Sequence, residues 1–142
     1  MIIRIKSITH LLLLSIGTSL LSACVKECDI NQMEAFTEMN LSGRIEFEKN
    51  DQSWDLHGDG YIAFMYQVNP DSMKSLLEEV RPELWIYSDT VYFPNYSSNF
   101  YEVVYPDRRG YYIYKTDSLQ RKFEGAVLDT INNKFVFYWG YF

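Results

Sequence analysis

Tyr61-Ile62-Ala63-Phe64-Met65-Tyr66-Gln67-Val68-Asn69-Pro70-Asp71-Ser72-Met73-Lys74-Ser75-Leu76-Leu77-Glu78-Glu79-Val80-Arg81-Pro82 decides the fold class of this 142-residue chain. Its first eight residues are almost continuously apolar. They are bounded by the turn-forming residues 57–60 on one side and Asn69-Pro70 on the other. A short apolar run between turn signals reads as a strand buried on both faces. The period then changes. Asn69 can cap a helix, and Pro70 suits a first helical position, where its missing N–H costs nothing. Met73, Leu76, Leu77 and Val80 recur at i, i+3, i+4 and i+7, the stripe of a helix lying on a sheet. Pro82 stops it, because the residue before a proline is pushed out of the α region.

Upstream, residues 43–49 alternate Ile45 and Phe47 with Arg44, Glu46 and Glu48, a strand with one wet face. Residues 50–53 read as a turn cluster. Downstream, strands are expected at 84–87, 91–93, 101–105, 111–114 and 126–128, with loops at 94–99 and 106–110. Residues 129–134 read as a hairpin loop in which Asn132 or Asn133 takes the left-handed conformation. The last strand, 135–142, places Phe135, Phe137, Trp139 and Tyr141 on one face and Val136, Tyr138, Gly140 and Phe142 on the other. A strand apolar on both faces belongs in mid-sheet or under a second layer. Strands, one helix and more strands imply an α+β fold: a mostly antiparallel sheet with one packed helix, in a single small domain over 43–142.

The amino-terminal region follows a different logic. Arg4 and Lys6 precede an apolar run that carries Thr9, His10, Ser15, Gly17, Thr18 and Ser19 and ends in Leu21-Ser22-Ala23-Cys24. A basic start, a short apolar core and small residues before a cut describe a secretory signal peptide over 1–23. A spanning helix needs about 20 predominantly apolar residues. The Leu-Ser-Ala-Cys segment resembles the lipobox of bacterial lipoproteins. That resemblance implies that Cys24 is acylated and becomes the new amino terminus, with the bilayer as a partner. It implies a cell-envelope location, with Val25 in place of the Asp that signals inner-membrane retention in some bacteria, hence the outer membrane. Residues 24–42 then form a short tether without a Gly/Ser or Pro-rich linker, within which Asp29 can cap a brief helix carrying Ile30, Met33 and Phe36. Two or more acyl chains anchor stably, and the three implied by the resemblance make release negligible. Beyond residue 23 the chain has eleven basic and nineteen acidic residues, a net charge of −8. That balance opposes binding to nucleic acid and to anionic membrane surfaces. With Cys24 acylated, Cys28 is left without an intrachain partner.

All nine Phe, twelve Tyr and three Trp lie beyond residue 24, more aromatic side chains than one small core readily hides. Tyr101, Tyr105, Tyr111, Tyr112 and Tyr114, with Arg108 and Arg109 between them, form the candidate binding surface, since Tyr and Arg dominate interface hot spots. Half-buried strand tyrosines with wet hydroxyls are the bland alternative. Asp55-x-His57-x-Asp59 is the one polar constellation. In an extended chain the three side chains share a face, and carboxylate with imidazole can hold a divalent metal. The echo of a calcium loop fails at His57, where Asp or Asn is required, and at Tyr66, where a bidentate Glu is required. A solvated turn is therefore favoured, with no metal and no cofactor expected. His57 is the single histidine beyond residue 24, and no Gly-x-Ser-x-Gly elbow, P-loop or CxxC accompanies it. No catalytic residue is assigned.

His57-Gly58-Asp59-Gly60 before an apolar strand, Gly110-Tyr111-Tyr112, and Leu128-Asp129-Thr130 followed by Asn133-Lys134 and Tyr138 resemble a group of small, uncharacterised bacterial α+β proteins. The doubled H-G-G-F-x-G-D-G form associated with that group is reduced here to a single H-G-D-G. The resemblance spans residues 55–141 and implies no activity. The expectation is a lipoprotein with a non-catalytic domain that binds a protein partner, in the manner of an immunity protein against an interbacterial toxin. A glycan-binding surface lipoprotein is the alternative, and a metal-dependent or hydrolytic enzyme around His57 is third.

Overall fold

The computed structural model describes residues 28–54, 57, 59–90 and 107–142. In chain order the elements are α1 (Ile30–Thr37), β1 (Ile45–Trp54), β2 (Gly60–Val68), α2 (Pro70–Glu78), β3 (Ile86–Ser88), β4 (Gly110–Thr116), β5 (Lys122–Asp129) and β6 (Lys134–Tyr141). The strands make one antiparallel sheet in the order β1-β2-β6-β5-β4-β3. The fold is α+β and mostly sheet. The two strands apolar on both faces, β2 and β6, pair with each other in the sheet interior.

Side chains of both helices join one face of the sheet. Met33, Phe36, Met73 and Leu76 meet Ile62, Phe64, Leu128, Phe135 and Phe137 in the main core. One cross-strand row on this face runs through all six strands: Phe47, Tyr66, Phe135, Leu128, Tyr111 and Tyr87. Its rings touch edge-on or tilted, with Phe47–Tyr66 centroids 5.7 Å apart and Tyr87–Tyr111 5.3 Å apart. Such cross-strand contacts are the stabilising unit of a sheet. The other face carries a second cluster of Ala63, Met65, Phe123, Val127, Val136 and Tyr138.

The caps are those the sequence implies. Asp29 Oδ1 accepts from the Asn31 N–H at 3.0 Å, and Asn69 Oδ1 from the Asp71 N–H at 3.0 Å. Each satisfies a helix-end donor that has no partner inside the helix. Asn133 takes the left-handed conformation in the β5–β6 loop. Among the described residues no helix is long and apolar enough to cross a membrane.

Three expectations need correcting. Two helices pack on the sheet, not one. Residues 30–41, read as tether, contribute buried Met33, Phe36, Met39 and Leu41, so the packed unit starts well before residue 43. Residues 50–53, read as a turn, continue β1 and pair with residues 61–64. Glu48 is an extra residue in a bulge between Phe47 and Lys49, which resets the alternation. Polar residues are tolerated beyond it because β1 is an edge strand, where charges discourage pairing with other chains. Asp51 gains a partner there, since Tyr61 Oη donates to its Oδ2 at 2.6 Å. The expected strands at 91–93 and 101–105 lie outside the described residues.

Candidate binding surface

The antiparallel register separates the tyrosine block. Tyr111 points to the helix-bearing face and packs against the main core, whereas Tyr112 and Tyr114 pack against the second cluster on the opposite face. A one-residue step along a strand reverses the side chain, so neighbours in sequence cannot share a surface. Arg108 is only 7% exposed and belongs to the interior. Tyr101 and Tyr105 lie outside the described residues, as do Cys24 and Asp55. Of the seven expected surface residues, Arg109 and Tyr111 come together. The single continuous surface expected from residues 101–114 is not formed by the members that are described.

Residues not among the expected surface residues surround that pair. Tyr87, 50% exposed on edge strand β3, stacks edge-on against Tyr111, and its Oη donates to Asp89 Oδ1 at 3.1 Å. Partial desolvation and that carboxylate hold the Tyr87 hydroxyl above its ordinary pKa. Asp89 Oδ1 also faces Arg109 Nε at 3.2 Å. The Arg109 carbonyl accepts both the N–H and the hydroxyl of Thr130, at 2.8 and 2.9 Å. Ile131, next in sequence to Thr130, is 48% exposed.

Local geometry makes this surface rigid. Buried Asp129 Oδ1 accepts from the Ile131 and Asn132 N–H groups at 2.9 and 3.2 Å, a side-chain-closed turn. Asn132 Nδ2 donates to Asp129 Oδ2 and to the Asp107 carbonyl, at 2.7 and 2.8 Å. The β5–β6 loop is thereby tied to residues 107–109. Gly110 lies against the adjacent strand: a Cβ there would fall 2.0 Å from the Leu128 carbonyl oxygen. A signal for Tyr87 was present in the sequence, since it ends an expected strand, but its pairing with Tyr111 is a long-range fact.

A groove of about 360 Å³ lies at the same end of the sheet, between Arg44, Glu46, Gln67 and Asn69. Arg44 is ion-paired with Glu79 there, and no nucleophile–base pair lines it. His57 and Asp59 are both exposed at the opposite end. Among the described residues no three His, Cys, Asp or Glu side chains gather as a metal site. Cys28 is half-buried, and burial, with the nearby Asp29 carboxylate second, pushes its thiol up to about 11. A thiol so firmly protonated is a poor nucleophile.

No family model matches the chain, and neither a curated protein nor a solved structure is found to be similar to it.

Proposed function

We propose that this chain is a lipid-anchored envelope protein whose domain binds another protein without catalysing a reaction. The observation that carries the reading is the connected set Tyr111, Tyr87, Asp89 and Arg109, with the exposed Ile131 next in sequence to the Thr130 that bonds the Arg109 carbonyl. It offers two aromatic rings, one exposed guanidinium and an apolar side chain on a rigid end of the sheet. Interfaces combine such anchors with a polar rim. The net charge of −8 beyond residue 23 favours a basic partner, because complementary charge sets orientation and on-rate. An immunity protein held at the membrane to meet a basic toxin fits both features.

The test is a binding series with the partner recovered from the native envelope. Tyr87→Ala is expected to cost about 2 kcal/mol, a loss in affinity of roughly thirtyfold. Arg109→Glu is expected to weaken the complex through a faster off-rate, because the guanidinium anchor is lost while the added negative charge does not slow encounter with a basic partner. Tyr114→Ala, on the opposite face, is expected to leave affinity unchanged. Equal losses at positions 87 and 114 overturn the assignment. Specific binding to a polysaccharide array with no protein partner hands the function to glycan recognition.

A further inference from the structure

The two edges of the sheet are built differently. β1, at one edge, is ten residues long, carries Glu46, Glu48, Lys49 and Asp51, and is bent by the bulge at Glu48. Charges and bulges are the devices that keep an edge strand from pairing with another chain. β3, at the other edge, has neither. Its residues Ile86, Tyr87 and Ser88 are uncharged and pair with Tyr112, Tyr111 and Gly110 without a bulge. Among the described residues, β4 is its sole strand neighbour.

Both sides of this edge are open. Tyr87 lies on the helix-bearing face beside Tyr111, and Ile86, opposite Tyr112, lies on the other face. They are 50% and 55% exposed. Alternate residues of an antiparallel strand turn their N–H and C=O to opposite sides of the strand. Of the neighbouring residues 86 and 87, one therefore bonds β4 and the other points its main chain away from the sheet. The group that matches an outward row of main-chain donors and acceptors is another extended main chain. The row is short. Ser88 Oγ donates to the Thr90 carbonyl at 2.6 Å and accepts the Thr90 N–H at 3.2 Å, which turns the chain just past β3. On the other side of β3, the Leu84 and Trp85 N–H groups both donate to the Arg81 carbonyl at 2.9 Å. The open edge is confined to residues 86–88, room for one short segment and not for a second sheet.

Charge decides whose segment it is. At −8 beyond residue 23, two copies of this chain repel each other. A basic chain is drawn in.

We infer that the basic protein partner is held by strand addition: an extended segment of its chain bonds main chain to main chain along residues 86–88, and its alternate side chains lie against Tyr87 on one face and Ile86 on the other. This rests on the protein-binding reading of the Tyr87–Arg109 surface and specifies how the partner is held there. Main-chain pairing supplies affinity in such complexes, and the side-chain contacts supply selectivity. Here the Tyr87–Tyr111 ring pair is the selective contact on the helix-bearing face.

The experiment uses the full chain in its native envelope, with a benzophenone side chain at position 86 or at position 87. Strand addition predicts the same partner adduct from both, because the added segment passes both faces of the edge. The partner identified in that adduct is then titrated against chains in which the amide of residue 86 or of residue 87 is replaced by an ester. The ester that faces β4 is expected to lower the melting temperature. The outward ester is expected to leave it unchanged and to weaken binding about two- to tenfold, the loss of one net hydrogen bond. An adduct from position 87 without one from 86 overturns strand addition and leaves the protein-binding reading standing. Affinity indifferent to the outward ester does the same. No adduct from either position in membrane-bound protein overturns both.

Discussion

Phe36→Ala separates a helix that belongs to the core from one that decorates a tether. The Phe36 ring is buried, meets Phe137 edge-on with centroids 5.5 Å apart and an interplanar angle of 75°, and lies 4.7 Å below Lys115 Nζ. Truncating a buried Phe costs about 3–5 kcal/mol. Because α1 is a short, peripheral element that can relax into the space, the lower end, about 3 kcal/mol, is the expected value. The edge-on ring pair accounts for roughly 0.5–1.5 kcal/mol of it and the Lys115 cation for about 0.5–1. Urea unfolding of the chain from residue 25 onward measures the loss. With a slope of about 1–3 kcal/mol/M, the midpoint is expected to fall by roughly 1–3 M with the slope unchanged. A double-mutant cycle of Phe36→Leu with Phe137→Leu should return a coupling near 0.5–1.5 kcal/mol. A loss below about 0.5 kcal/mol for Phe36→Ala, the range of an ordinary surface substitution, refutes the placement of α1 in the core.

Gly125→Ala is expected to destabilise by about 1–3 kcal/mol, because a Cβ there would lie 2.2 Å from the Tyr138 ring; in the Tyr138→Leu background, denaturant titration should recover much of that loss. Glu34 accepts the Ser42 and Leu41 N–H groups, and these bonds, Ser42's first, hold its carboxyl below the usual range. Its folded-state pKa being depressed, the stabilisation is present above the unfolded value of about 4.3 and is lost as pH falls through the lower folded value. Unfolding midpoints measured from pH 6 to pH 2 should therefore fall less steeply in Glu34→Gln. Cys24→Ser is expected to abolish acyl labelling and to move the protein from the membrane pellet into the soluble or uncleaved pool; unchanged labelling sinks the lipoprotein reading.

Most of the sheet was legible because its signals are local. The residues 61–82 carry a period-2-compatible apolar run, a capping Asn-Pro and a helical stripe in immediate succession, and all three form as expected. Both faces of β6 are apolar and it does lie in the sheet interior. The errors arose where long-range pairing overrides local composition. Asn50, Asp51 and Ser53 favour turns, yet β2 recruits them into an edge strand whose outer side is wet. The site was less legible than the fold. Tyr111 and Tyr112 are adjacent in sequence, and the pleat sends them to opposite faces. Tyr87 and Thr130 reach Asp89 and Arg109 only through strand order and the Asp129 turn, neither of which is written in a local pattern.

Photo-crosslinking in the intact envelope tests the central claim most directly. A benzophenone side chain at position 87, which faces outward beside Arg109, is compared with one at position 114 on the opposite face. A discrete protein adduct from position 87, weakened by Arg109→Glu and absent from position 114, is the predicted result. Adducts from position 114 alone, or none from 87 in acylated, membrane-bound protein, contradict the assignment of this end of the sheet as the partner-binding surface.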